Sequence, residues 1–185
     1  NRGDYVEANA PERLARTISR VLYPDDTTDQ GKELRLKQEY FFTAASLKDL
    51  LRRFLSEGHS IENLADHVAI QLNDTHPAIA GPELVRLLAD EHGFGIDQAI
   101  EIARASLSYT NHTLLPEALE KWPEGLFAHI LPRHHRIIEM IQDRHLATGS
   151  NVRIIEHGHV KMGELAFVMA HRVNGVSALH SELVK

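Results

Sequence analysis

A short apolar segment that runs into polar residues constrains the fold more than any other part of the chain. Residues 68–72 (VAIQL) are mostly apolar and partly β-branched, and residues 73–77 (NDTHP) follow them at once. Residues 82–92 then carry the pattern of a helix. A buried strand, a polar loop and a helix in that order are typical of an open α/β sheet, in which ligands bind beyond the carboxyl ends of the strands. The sequence therefore predicts an α/β fold with a polar crevice at the end of this strand.

The rest of the chain is predicted to be mostly helical. Residues 32–55 carry apolar side chains at spacings of three and four, and Gly58 lies just past them as a stop signal. A second strand is predicted at residues 152–155, before a turn at 157–159, and residues 109–113 are predicted to form a loop between helices. The other predicted helices cover residues 11–22, 97–106, 117–121, 133–146, 165–173 and 177–184.

Charge and composition exclude several classes of function. The formal net charge of −6 argues against general nucleic-acid binding, because counterion release requires a concentration of Lys and Arg. No apolar run approaches the length of a membrane span, so no membrane partner is expected. The chain has no cysteine, which excludes disulfides and thiolate metal sites and is compatible with a cytoplasmic location.

Two polar runs are the best local candidates for a binding site. Asp74 and His76 lie in the run after the predicted strand, and His112 lies in the run at 109–113. Side chains of this kind donate and accept hydrogen bonds and suit sugar hydroxyls. The alternative is structural: Asp74 or Thr75 caps the next helix and His76 packs against the core, while residues 109–113 form a capped turn.

Two pairs of charged residues also have a functional and a structural interpretation. Glu117 and Glu120 are three residues apart, so on a helix they face the same way and could act as the acid and base of a glycosidase. The structural alternative is a solvated helix face. Arg52 and Arg53 end the long predicted helix, where the helix dipole alone favours cations, or they form an anion site.

The 13 histidines raise the possibility of a metal site. The sequence contains no HExxH motif, and adjacent histidines on a helix point in different directions. No metal site is therefore predicted. No glycine-rich phosphate loop and no serine nucleophile elbow is found either. The histidines considered as ligands are His134, His135, His157, His159 and His171.

Several segments closely resemble the α-glucan phosphorylase family, which includes glycogen, starch and maltodextrin phosphorylases. They occur in the order of the family and at compatible spacing along nearly the whole chain. The matching strings are ISRVLYP at residues 18–24, GKELRLKQEYF at 31–41, VAIQLNDTHP at 68–77, YTNHT at 109–113, LPEALE at 115–120, LPRH at 131–134, VNGV at 173–176 and LHSE at 179–182.

The resemblance implies a fold and an activity for a longer parent protein. Such enzymes have two Rossmann-like domains facing a cleft, the GT-B fold, and residues 1–185 correspond to the later part of the N-terminal domain. They cleave terminal α-1,4-glucosyl units with inorganic phosphate to give α-glucose 1-phosphate, using pyridoxal phosphate, and they are homodimers. The cofactor lysine lies in the C-terminal domain. We therefore expect no cofactor site on this segment and no activity from it alone.

The resemblance also implies roles for individual residues. His112 belongs to the catalytic pocket and contacts the bound glucosyl unit. Asp74 and His76 line the cleft beside that unit, and Arg52 and Arg53 match a pair that binds an effector in some members. Glu117, Ala118 and Glu120 match the edge of the pocket. Two other hypotheses stay open at this point, an autonomous carbohydrate-binding or interaction module and a histidine-rich, metal-dependent hydrolase.

Overall fold

A three-stranded parallel sheet with helices packed on one face organises the chain. The computed structural model describes residue 7, residues 9–113 and residues 119–176. The strands are β1 (Ile70–Asn73), β2 (Leu107–Asn111) and β6 (Arg172–Gly175), in the order β1-β2-β6. In the parallel register, Leu72 pairs with Tyr109 and Asn73 with Thr110, and Asn111 pairs with Gly175.

Two N-terminal helices precede the sheet. Pro11 starts α1 (Ala10–Arg20), where a fixed φ and a missing N–H cost nothing. The α2 helix (Asp29–Ser56) is capped by Thr28, whose hydroxyl accepts a hydrogen bond from the N–H of Gly31 at 3.1 Å. No residue of α1 is buried, whereas α2 buries one apolar face into the core. The buried apolar residues of α2 are Leu36, Leu47, Leu51 and Phe54.

Short helices precede β1 and connect it to β2. A 3₁₀ turn (Ile61–Asn63) and α3 (Leu64–His67) lead into β1. After β1 come α4 (Ala80–Arg86), which continues as a π-helical turn (Leu87–Glu91), and α5 (Ile96–Ser106). This helical crossover is what a parallel pair of strands requires.

A small antiparallel sheet lies beside the parallel one. Its strands are β3 (Lys121–Pro123), β4 (Ile155–Glu156) and β5 (His159–Lys161), in the order β3-β5-β4. His157 and Gly158 both have positive φ, 51° and 72°, as a two-residue type I′ hairpin turn requires. The remaining helices are α6 (Glu124–Ile130), α7 (Pro132–Ala147) and α8 (Met162–Met169).

The core lies between the parallel sheet and the helices. Leu72 and Tyr109 point into it from the strands, and Trp122 and Phe127 contribute from the small sheet and α6. Gly81 lets α4 approach α8 closely, because a Cβ at this position would lie 2.9 Å from Cγ of Met169. Among the described residues, no helix combines the length and the hydropathy that spanning a bilayer requires.

The structure confirms the predicted α/β class and the long helices, and it corrects several boundaries. The stretch 109–113 is not a loop, because residues 109–111 belong to β2, the central strand. The helix predicted at 165–173 ends at Met169, and residues 172–175 form β6. Lys121 lies in β3 rather than in a helix, α6 was missed, and the strand predicted at 152–155 overlaps β4 only at Ile155. The helix predicted at 177–184 lies outside the described residues.

Candidate functional site

Polar side chains meet at the carboxyl edge of the parallel sheet. Asn73 ends β1, and His112 follows directly after the last residue of β2. Nε2 of His112 donates a hydrogen bond to Oδ1 of Asn73 at 2.5 Å, across the two neighbouring strands. His112 is exposed, so its ring stands at the edge of the sheet and is fixed by Asn73 on one side.

Asp74 turns the chain away from β1. Its φ of +67° lies in the left-handed region, where Asp is among the few non-glycine residues that occur regularly. Its N–H donates to the carbonyl of Thr110 at 3.0 Å, and its Oδ1 accepts from the N–H of Thr75 at 2.7 Å. The capping alternative for Asp74 and Thr75 is therefore wrong. The N-cap of α4 is Ile79, and no side chain caps it.

A row of side-chain hydrogen bonds fixes the open face of the sheet. Gln71 Nε2 donates to Oγ1 of Thr110 at 2.9 Å, and that hydroxyl donates to Oδ1 of Asn174 at 3.0 Å. The row crosses β1, β2 and β6 on the face opposite Leu72 and Tyr109. It orients polar groups immediately beside Asn73 and His112.

A cavity of about 230 Å³ adjoins this edge. The hydroxyl of Tyr23 and Nε2 of His76 form a hydrogen bond, and their rings meet edge to face at 5.0 Å. The guanidinium of Arg35 lies 3.7 Å from the centre of the Tyr23 ring, a cation–π contact. Asp74, His76 and Glu120 are thus brought together with Tyr23 and Arg35. The lining residues are Tyr23, Asp26, Arg35, Asp74, Thr75, His76, Leu119, Glu120, Lys121 and Trp122.

The electrostatics of the cavity wall are dominated by buried acids. Arg35 contacts Asp26 at 3.0 Å, Glu39 at 3.6 Å and Glu120 at 3.8 Å. Burial, together with the neighbouring charge of Glu120, raises the pKa of Glu39 to about 10. Burial also raises the pKa of Glu120, and it raises the pKa of Tyr23 against the opposing effect of Arg35. Glu120 in the wall and Glu39 beside it therefore hold protons more strongly than free carboxyl groups.

Sequence reasoning missed Tyr23 and Arg35 in this wall and the buried Glu39 beside it. Arg35 and Glu39 are four residues apart on α2, a spacing that is usual for an ion pair on a solvated helix face. Tyr23 lies in the string at 18–24 that resembles the phosphorylases, but no site residue was assigned there. No local signal separates these residues from ordinary surface residues, apart from their place in the strings at 18–24 and 31–41 that resemble the phosphorylases.

Of the two glutamates that were predicted as a pair, the structure describes only Glu120. Glu117 and Ala118 lie outside the described residues. Both carboxylate oxygens of Glu120 are buried, and neither receives a hydrogen bond from the described residues. Glu120 is therefore a wall residue of the cavity, with its carboxyl group turned toward Arg35 and Glu39.

Arg52 and Arg53 lie at the end of α2, away from this cavity. Their guanidinium groups are exposed and contact Asp49 at 2.7 and 3.0 Å. The hydrogen bond from Arg52 lowers the pKa of Asp49. An anionic effector at this position would compete with that carboxylate.

Several of the histidines considered as metal ligands have protein partners. Nε2 of His134 donates to Glu83 at 2.6 Å, and His135 contacts Glu124 at 3.0 Å. Nδ1 of His171 donates to the carbonyl of Leu107 at 2.7 Å. Within residues 9–113 and 119–176, no group of three His, Asp or Glu side chains is arranged to hold a metal ion.

The chain is similar in sequence to known phosphorylases along its whole length. Residues 1–185 match the model of the family described as carbohydrate phosphorylase. The chain is 49% identical over 198 residues to a glycogen phosphorylase of Haemophilus influenzae, a match that covers 100% of this chain and 24% of the relative. It is 47% identical over 207 residues to the brain form of glycogen phosphorylase of Rattus norvegicus, covering 100% of this chain and 25% of the relative.

The chain spans about a quarter of the length of the curated relatives that it matches. The family match covers all of it, including the sheet edge and the cavity. The chain therefore belongs to the carbohydrate phosphorylase family.

Proposed function

We propose that the whole protein to which this segment belongs is an α-glucan phosphorylase. It cleaves the terminal α-1,4-glucosyl unit of a glucan with inorganic phosphate and releases α-glucose 1-phosphate. The match over residues 1–185 supports this proposal, as do relatives that are named glycogen phosphorylases. In this proposal residues 1–185 form one segment in the later part of the N-terminal, Rossmann-like domain of a GT-B fold. The whole protein is a cytoplasmic homodimer.

The observation that carries the proposal is the meeting of His112, Asn73 and Asp74 at the carboxyl edge of a parallel sheet. This edge is where open α/β sheets bind ligands. The Asn73 contact fixes the His112 ring through Nε2, and Nδ1 has no partner among the described residues. That nitrogen is available to a sugar hydroxyl, and Asp74 offers carboxylate oxygens beside it.

The residues of this segment bind and orient the sugar. Hydroxyl groups need several fixed donors and acceptors, and the row Gln71–Thr110–Asn174 holds the neighbouring polar groups in place. The cavity beside the edge has uncharged and charged polar groups on its wall, which suits a polyol better than an apolar ligand. This arrangement supports glucosyl binding next to His112.

Four of the five lysines in the described residues are ion-paired. The fifth, Lys121, is exposed in β3. The family resemblance implies that a lysine of the C-terminal domain holds the cofactor of the whole protein. When bound, the phosphate group of that cofactor would supply acid–base chemistry toward the attacking phosphate. The four paired lysines are Lys32, Lys37, Lys48 and Lys161.

The test is the phosphorolysis rate of the full-length protein carrying His112→Ala. Loss of the imidazole removes a hydrogen bond to the glucosyl unit and frees Asn73. The two effects together should raise the activation free energy by about 3 kcal/mol, which is about a 100-fold loss in kcat/KM. His157→Ala is the matched control, because His157 is exposed in the β4–β5 turn. Equal turnover in the two variants would contradict the proposed site.

A further inference from the structure

Two buried carboxyl groups lie next to each other beneath the cavity, and both are near Arg35. Glu39 lies on α2, and Glu120 lies just before β3. Their side chains are only 9% and 10% exposed. None of the four carboxylate oxygens receives a hydrogen bond of normal geometry from the residues that the structure describes. Fully ionised carboxylates in such a place would each cost several kcal/mol of desolvation.

The cations near this pair are too few to offset two full negative charges. Arg35 is the cation near both groups, and it lies closer to Asp26, at 3.0 Å, than to either glutamate. One guanidinium thus faces three carboxylates. The other titratable groups around the pair are Tyr23, Asp74 and His76. Two carboxyl groups in one buried site relieve this imbalance by keeping one proton between them.

We propose that Glu39 and Glu120 share one proton, and that Glu39 is a positioning residue of the cavity. The protonated pair carries a single negative charge that Arg35 can offset. Arg35 then lies against the ring of Tyr23, and Tyr23 contacts His76 on the cavity wall. Glu39 therefore acts on the ligand site through Arg35 and Tyr23 without touching the ligand. The effect of Glu39 on substrate binding rests on the proposed function, whereas the sharing of a proton by Glu39 and Glu120 does not.

The direction of the pH dependence follows from the raised pKa of both carboxyl groups. The folded protein holds a proton that the unfolded chain releases near the ordinary carboxyl pKa. The contribution of the pair to stability is thus fully present below about pH 4.5 and falls as the pH rises toward about 10. At alkaline pH the second charge repels the first, and the contact from Arg35 to Tyr23 is weakened.

Infrared difference spectroscopy on the full-length protein tests the shared proton directly. A carbonyl band of a protonated carboxyl group should be present in the wild type at neutral pH, and both Glu39→Gln and Glu120→Gln should lose that same band. The matched control is Glu33→Gln, because Glu33 lies on the same helix but is ion-paired with Lys37 and has a lowered pKa. The control should keep the band. A wild type without the band, or a variant at either position that keeps it, would overturn the proposal.

A kinetic measurement tests the positioning role. In the wild type, KM for maltoheptaose should rise at alkaline pH while kcat changes less. In Glu39→Gln this rise should disappear, because glutamine keeps the hydrogen-bonding shape and does not titrate. An alkaline rise in KM that is unchanged in Glu39→Gln would overturn the positioning role. Absence of phosphorolysis in the wild type would contradict the proposed function, and the infrared result would still decide the question of the proton.

Discussion

Glu83 is a buried carboxylate that holds α4 against α7, and its replacement by glutamine gives a prediction that can be worked from the contacts. The side chain is fully buried. It accepts two hydrogen bonds from Arg86, at 2.8 and 3.0 Å, and one from His134, at 2.6 Å. Burial raises the pKa of Glu83, but the hydrogen bonds from His134 and Arg86 outweigh burial and hold the pKa below its ordinary value.

Glu83→Gln removes the negative charge and leaves Arg86 and His134 without their central partner. Breaking a buried pair in this way costs about 3–5 kcal/mol. We take the lower end of this range, because glutamine keeps one carbonyl acceptor. A loss of ~3 kcal/mol corresponds to about a 100-fold change in the equilibrium of local opening. That is a large part of the ~5–15 kcal/mol by which a typical domain is stable.

Hydrogen exchange of the full-length protein, followed by mass spectrometry, measures this opening locally. Peptides covering residues 80–91 and 132–147 should exchange about 100-fold faster in Glu83→Gln. The control is Glu139→Gln, which removes an exposed ion pair with Arg136 on α7 and should change the free energy by less than ~1 kcal/mol. Because the pKa of Glu83 is lowered, its stabilising contribution is present above the ordinary carboxyl pKa and is lost as the pH falls through the lowered value. Equal exchange in the two variants would refute the reasoning.

Two further predictions concern packing and exposed apolar surface. Gly81→Ala places a methyl group 2.9 Å from Cγ of Met169 and should destabilise the fold by about 1–3 kcal/mol. Gly125→Ala, whose Cβ meets no atom within 4 Å, should be neutral or slightly stabilising in the same thermal unfolding assay. A smaller effect at Gly81 than at Gly125 would contradict the packing argument. The isolated 185-residue chain should self-associate in light scattering, because large apolar side chains on α1, on α2 and between them are exposed, among them Leu14, Leu22, Phe41 and Phe42. A stable monomer at high concentration would contradict that expectation.

The elements that could be predicted from the sequence are those with a strong local pattern. The long helix α2 has many turns of apolar spacing and a capping threonine, and β1 is a compact apolar run that ends in polar residues. The strand β2 was missed although its burial alternates, with Leu107, Tyr109 and Asn111 pointing inward. Two of its five residues are polar and partly exposed, and its position in the sheet is decided by β1 and β6, which lie far away in the sequence. The missed strand β6 has the same cause.

The candidate site was only partly predictable for a related reason. Asp74 and His76 could be selected because they follow a predicted strand, and His112 because it lies in a polar run and matches a residue of the family's catalytic pocket. Arg35 and Glu39 look like a surface pair four residues apart, and only the packing of residues 21–26 and 119–122 over α2 buries them. Burial of charge is a property of the tertiary structure, so the raised pKa of Glu39 had no signal in the sequence.

The most direct test of the central claim is phosphorus NMR of the full-length protein with maltoheptaose and inorganic phosphate. The account predicts that phosphate is consumed and that α-glucose 1-phosphate accumulates, that His157→Ala does the same, and that His112→Ala is slower by about 100-fold. Formation of free glucose without glucose 1-phosphate, or an undiminished rate in His112→Ala, would contradict it.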